Sequence, residues 1–83
     1  MSAAANTADR VRTLIVEQLA LVDVDGPLKP DTLLREHLEA DSLDMVELSL
    51  TMEDEFAIQV PVDDLDRLRT VGDVIEYVER RIA

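Results

Sequence analysis

Residues 39–56 read "EADSLDMVELSLTMEDEF", and how this stretch folds decides the rest of the chain. Its spacing predicts a helix that starts at Asp41 or Ser42 and runs to about Phe56. Asp41 is a good N-cap, because a short carboxylate can accept a bond from a free amide of the first turn. Asp44 then lies where the positive end of the helix dipole favours negative charge. The apolar residues are too many for one narrow stripe. Leu48, Met52 and Phe56 follow one line, while Leu43, Val46 and Leu50 follow another. If the first line faces a core, the second is left partly exposed among Glu47, Glu53 and Asp54. The outward face is then an apolar centre with an acidic rim.

Upstream, Val11, Leu14, Ile15, Leu19 and Val22 keep helical spacing, with Asn6 or Thr7 as the expected cap and residues 1–6 as a frayed, disordered tail. "DVDGPLKPD" breaks that pattern with Gly26, Pro27 and Pro30, which mark a long loop. In "TLLREHL", Leu33, Leu34 and Leu38 can pin this connection onto the core, either extended or as a short helical turn. Downstream, Pro61 precedes "VDDLDRL", a predicted short helix with Leu65 and Leu68 inward. Thr70 caps a last helix, with Asp73 three residues on completing a capping box. Val71, Val74, Ile75, Val78 and Ile82 keep its inward spacing. The expected fold is all-α: a small four-helix bundle of three longer helices and one short one, forming a single domain over residues 1–83.

Composition agrees with helices on helices. Leu, Val, Ile, Ala and Met supply the apolar residues, and Phe56 and Tyr77 are the only aromatic ones. There is no cysteine, so packing alone must hold the fold. The net charge of −11 opposes binding to nucleic acid or anionic membranes and favours basic protein partners met through fast, steered encounters. The charge is concentrated: between Glu36 and Asp66 every charged residue is acidic, His37 aside. "MSAAANTADR" has neither the basic start nor the apolar core of a secretory leader, and no apolar run is long enough to span a bilayer. A cytoplasmic monomer is expected.

The chemistry turns on Ser42. A serine hydrolase needs a base within reach, an oxyanion hole and usually a glycine-flanked turn. His37 is the sole histidine and is expected in a loop or at the surface; Asp41 and Leu43 flank the serine. No catalytic set emerges. "DVDG" places its glycine too early for an EF-hand, and Leu34 stands where the closing glutamate would be. One histidine without cysteine makes no usual zinc site. Two readings survive. Ser42 is a helix cap, or it is an exposed hydroxyl at a helix N-terminus, where free amides and the dipole favour a phosphate ester.

"ADSLDMVEL" resembles the phosphopantetheine-attachment motif of acyl carrier proteins, the Asp-Ser-Leu at the start of their second helix. The likeness continues through "MEDEFAIQVP" and "TVGDVIEYV", correctly spaced, over about Leu33 to Val78. It implies a non-catalytic carrier. Ser42 would take a 4′-phosphopantetheine arm from coenzyme A by attack of its hydroxyl on the pyrophosphate, with a phosphopantetheinyl transferase supplying Mg²⁺ and the general base. Acyl groups would then ride as thioesters. Asp41, Asp44, Glu47, Glu53 and Asp54 fall where the family offers acids to basic patches on partner enzymes, and Leu43, Val46 and Leu50 where it offers apolar contacts. Such partners include an acyltransferase or acyl ligase, a ketosynthase and other acyl-processing enzymes. Leu48, Met52, Phe56, Leu65, Leu68, Ile75 and Val78 would form the core.

The chain departs from the family at "HLEADS", where His37 stands for the usual acid and Glu39 for the usual glycine. Together with the proline-rich loop and the excess of Arg over Lys29, this points toward a specialised, polyketide-type pathway rather than housekeeping fatty-acid synthesis. The alternative from another class is an acidic helical adaptor with no prosthetic group.

Overall fold

The computed structural model of the chain describes residues 3–19 and 28–82. In order along the chain they form α1 (Ala3–Gln18), α2 (Ser42–Phe56), a 3₁₀ helix (Val62–Arg67) and α3 (Val71–Ile82). The architecture is all-α, as the spacing predicts. Helix α1 packs against both α2 and α3, and the 3₁₀ helix leans on α2. The third helix is short and tight because Pro61 fixes its entry and Leu68 already turns out of helical conformation. Val22, Gly26 and Pro27 lie outside the described residues. Among those described, no helix is long and apolar enough to cross a membrane.

The predicted inward residues meet in one cluster. Val11, Leu14 and Ile15 of α1 are buried with Leu48, Met52 and Phe56 of α2, Leu65 and Leu68, and Val71, Val74, Ile75 and Val78 of α3. Each such side chain contributes about 1.5–3 kcal/mol by leaving water. Three corrections follow. Helix α1 reaches back to Ala3, so the tail expected over residues 1–6 is helical from there, and Asn6 and Thr7 sit inside the helix rather than capping it. Ile82 is 43% exposed, because α3 has outrun the core by its last turn. Met45 and Ser49 were not predicted inside but are buried, since Met45 shares a helix face with Leu48 and Met52. The Ser49 hydroxyl is satisfied by the Val46 carbonyl at 2.6 Å.

The segment before α2 is neither strand nor helix. Leu33 makes an isolated antiparallel bridge to Thr70, and Leu34 is fully buried. Three amides stitch this connection to the start of α3: Leu34 N–H donates to Arg69 C=O (2.9 Å), Val71 N–H to Thr32 C=O (3.0 Å) and Gly72 N–H to Pro30 C=O (2.8 Å). The approach is so close that a Cβ on Gly72 would lie 3.0 Å from the Pro30 carbonyl oxygen. This tie fixes the position from which the chain enters α2.

Candidate functional site

Helix α2 begins with a reciprocal cap. Asp44 N–H donates to Asp41 Oδ1 at 2.8 Å, and Asp41 N–H donates to Asp44 Oδ2 at 3.1 Å. Asp41, in extended conformation, is thus the N-cap and Ser42 the first helical residue. The choice left open in the sequence is decided: Asp41 caps. The first intrahelical bond runs from Met45 N–H to Asp41 C=O (3.0 Å). The amides of Ser42 and Leu43 precede it and have no partner among the described residues. Ser42 is exposed, and its hydroxyl makes no hydrogen bond to any described residue. A free hydroxyl beside two open amides at the positive end of a 15-residue helix suits a phosphate ester.

Behind it, the second apolar line lies outward. Leu43 is 64% and Leu50 58% exposed, while Val46 between them is half-buried. The acids around this line do different jobs. Asp41 and Asp44 hold each other. Glu47 accepts from Gln18 Nε2 at 3.5 Å, linking α2 to α1, and Glu53 accepts from Val60 N–H at 2.8 Å, fastening the chain beyond α2. Asp54 is exposed and unpaired among the described residues. Leu43, Glu47, Leu50 and Asp54 are thus exposed along α2, with Asp41 and Asp44 at its head, while Glu53 also fastens the fold.

Two features escaped the sequence. His37 is exposed as expected, yet its Nδ1 accepts from Leu33 N–H at 2.9 Å and fastens the turn leading to the site. Glu39 adopts φ 58°, the left-handed region that side chains with a Cβ avoid. The family's usual glycine at this position was the one available signal.

A second feature joins the 3₁₀ helix to α3. Tyr77 donates its hydroxyl to Asp64 Oδ2 at 2.6 Å, Arg81 donates to the same oxygen at 3.0 Å, and the Arg81 guanidinium lies 4.3 Å from the Tyr77 ring centre. The Tyr77 hydrogen bond, helped by Arg67 and Arg81, holds the Asp64 carboxyl below its ordinary value. Burial and the Asp64 contact push the Tyr77 hydroxyl above its own. The neighbouring cleft, lined by Ile58, Leu68 and Tyr77 among others, contains no residue of the α2 first turn.

Comparison with known proteins agrees with this geometry. The family model for the phosphopantetheine attachment site matches residues 9–78. An acyl carrier protein of Chlamydia trachomatis serovar D is 47% identical over 73 residues, covering 88% of this chain and 92% of that protein. One from Helicobacter hepaticus is 40% identical over 74 residues, covering 89% and 95%. The crystal structure of an acyl carrier protein from Thermotoga maritima superposes with a TM-score of 0.71 at 25% identity, covering 95% of this chain and 89% of that one.

Proposed function

The chain belongs to the phosphopantetheine-attachment family of acyl carrier proteins, a non-catalytic carrier with a covalent 4′-phosphopantetheine, and from that premise we propose that Ser42 is the attachment residue. One observation carries this reading: Asp41 caps α2, leaving the Ser42 hydroxyl exposed and unbonded among the described residues. In loading, Ser42 Oγ bonds to the phosphorus that bears the pantetheine, and the bond from that phosphorus to the bridging oxygen of coenzyme A breaks. Adenosine 3′,5′-bisphosphate leaves with that oxygen, and the serine proton passes to a base on the transferase. The arm supplies a thiol on which acyl groups travel as thioesters. The amides of Ser42 and Leu43 orient the phosphodiester, and the α2 outer face meets the enzymes in turn, acting as a cytoplasmic monomer.

Leu43, Val46 and Leu50 are the apolar contacts, and Asp41, Asp44, Glu47, Glu53 and Asp54 steer basic patches toward them. A small apolar centre in an acidic field gives fast association without a sticky interface, which suits a protein that visits many enzymes briefly. The first partners are a phosphopantetheinyl transferase, an acyltransferase or acyl ligase, and a ketosynthase.

For the pathway, similarity to proteins named simply as acyl carrier proteins supports service in fatty-acid synthesis. The polyketide-type reading rests on the departures of "HLEADS" from the family pattern, Glu39 above all. Elongation by a reconstituted fatty-acid synthase separates the two: a specialised carrier would stall at the ketosynthase.

The direct test of Ser42 is intact mass after incubation with coenzyme A, Mg²⁺ and a phosphopantetheinyl transferase. The native chain gains one arm. Ser42→Ala gains none and melts within about 0.5 kcal/mol of the native protein, because Ser42 does not cap. An arm on the Ala variant would sink the assignment, and no arm on a native chain freed of any beforehand would favour the adaptor.

A further inference from the structure

The chain reverses sharply just before the site. Leu33 C=O accepts from His37 N–H (2.9 Å) and Leu38 N–H (3.2 Å), and Leu34 C=O accepts from Ala40 N–H at 3.0 Å. Leu34 and Ala40 are both buried, so both ends of this turn are fixed. The backbone between them closes with a left-handed turn at residue 39, where Glu39 has φ 58°. Glycine would do this without cost; glutamate does it against its Cβ.

No contact within the described chain offsets that cost. Glu39 is exposed, and its carboxylate forms no hydrogen bond or ion pair with a described residue. Its acidic neighbours are occupied, since Asp41 and Asp44 bond each other's amides. Within three residues of Ser42, Glu39 is therefore the one carboxylate that no hydrogen bond in the described chain holds in place, and its charge adds to those of Asp41 and Asp44. Coenzyme A arrives as a polyanion, so this charge opposes its approach unless the loading enzyme sets a cation against it. A strained residue whose charge is useless to the fold and sits beside the reacting hydroxyl is an outlier that asks for a function.

We propose that Glu39 is a specificity-determining residue for loading: its free carboxylate at the mouth of the site selects a transferase that brings a Lys or Arg side chain to it. The inference rests on Ser42 being the attachment residue. With the matching cation present, the carboxylate adds a charge pair to the encounter complex; without it, the enzyme meets an uncompensated repulsion.

The test measures initial loading rates by intact mass, using the arm-free protein, coenzyme A, Mg²⁺ and a phosphopantetheinyl transferase that presents Lys or Arg side chains on its carrier-binding surface. Glu39→Gln keeps the shape and removes the charge. At low salt its KM for the carrier should rise about two- to fivefold with kcat unchanged, the range of an exposed charge pair, and the gap should close at high salt. Glu39→Asp should restore the native KM. Glu39→Gly should show the same KM rise as Gln while melting at a higher temperature, which separates charge from backbone. An unchanged KM in the Gln variant, or a rise that persists at high salt, overturns the inference while leaving Ser42 in place. Failure of the native chain to load at all would instead overturn the attachment reading, and this one with it.

Discussion

Helices α2 and α3 begin with the same device and put it to opposite uses. Asp41 and Asp44 bond each other's amides at the start of α2; Thr70 and Asp73 do so at α3, with Asp73 N–H donating to Thr70 Oγ1 (3.0 Å) and Thr70 N–H to Asp73 Oδ2 (3.1 Å). The difference lies in the next two residues. At α3, the amides of Val71 and Gly72 are consumed by Thr32 and Pro30, Val71 is fully buried and Gly72 is pressed against the loop. At α2, the amides of Ser42 and Leu43 are unbonded among the described residues and both side chains face outward. A capping box by itself therefore says little about function. What matters is whether the fold covers the two amides that the cap leaves over.

The largest effect should come from the second helical position. Gly72→Ala adds a methyl 3.0 Å from the Pro30 carbonyl oxygen and should cost about 1–3 kcal/mol in a thermal melt, despite the better helix propensity of Ala. Leu43→Ala, at the matching position of α2, removes far more yet should stay within about 0.5 kcal/mol of native stability while partner turnover falls. Comparable losses of stability at both sites would erase the contrast.

The caps themselves should be equivalent in energy and unequal in consequence. Asp41→Ala and Thr70→Ala should each cost about 1 kcal/mol in a urea titration. Arm loading should slow only for Asp41→Ala, because only that cap positions Ser42. Equal slowing in both variants would show that loading follows overall stability instead.

The smallest effect concerns how the 3₁₀ helix is held to α3. The folded Asp64 carboxyl is held below its ordinary value of 3.8, so its contribution is fully present above that value and lost as pH falls through the lower, folded one. The melting difference between native protein and Asp64→Asn should therefore be constant at neutral pH and shrink in acid below about pH 4. Tyr77 works in the other sense: its raised hydroxyl favours the fold until pH climbs past 10.0, where the unfolded chain ionises first. A difference that widens in acid would mean that Asp64 stabilises the fold through something other than its charge.

Much of this was legible in the residues. The α2 line of Leu48, Met52 and Phe56 could be assigned inward because burial follows helical spacing, and it lies there. The Thr70/Asp73 box could be read because a cap is a contact between residues three apart. Ile82 misled, since periodicity does not show where the core ends. Glu53 shows a different limit: its bond to Val60 depends on the chain folding back beside it, and no local pattern encodes that.

By itself, then, the sequence determined the helices, their inward faces, the acidic outer face and the serine at the head of α2, all consequences of spacing within a few residues. The tertiary structure alone decided that the leftover amides are covered at α3 and open at α2, and that Glu39 turns left-handed. The reason is physical. These outcomes depend on where the loop before α2 is pinned, and that is set by bonds from Leu34, Val71 and Gly72, whose partners lie far along the chain.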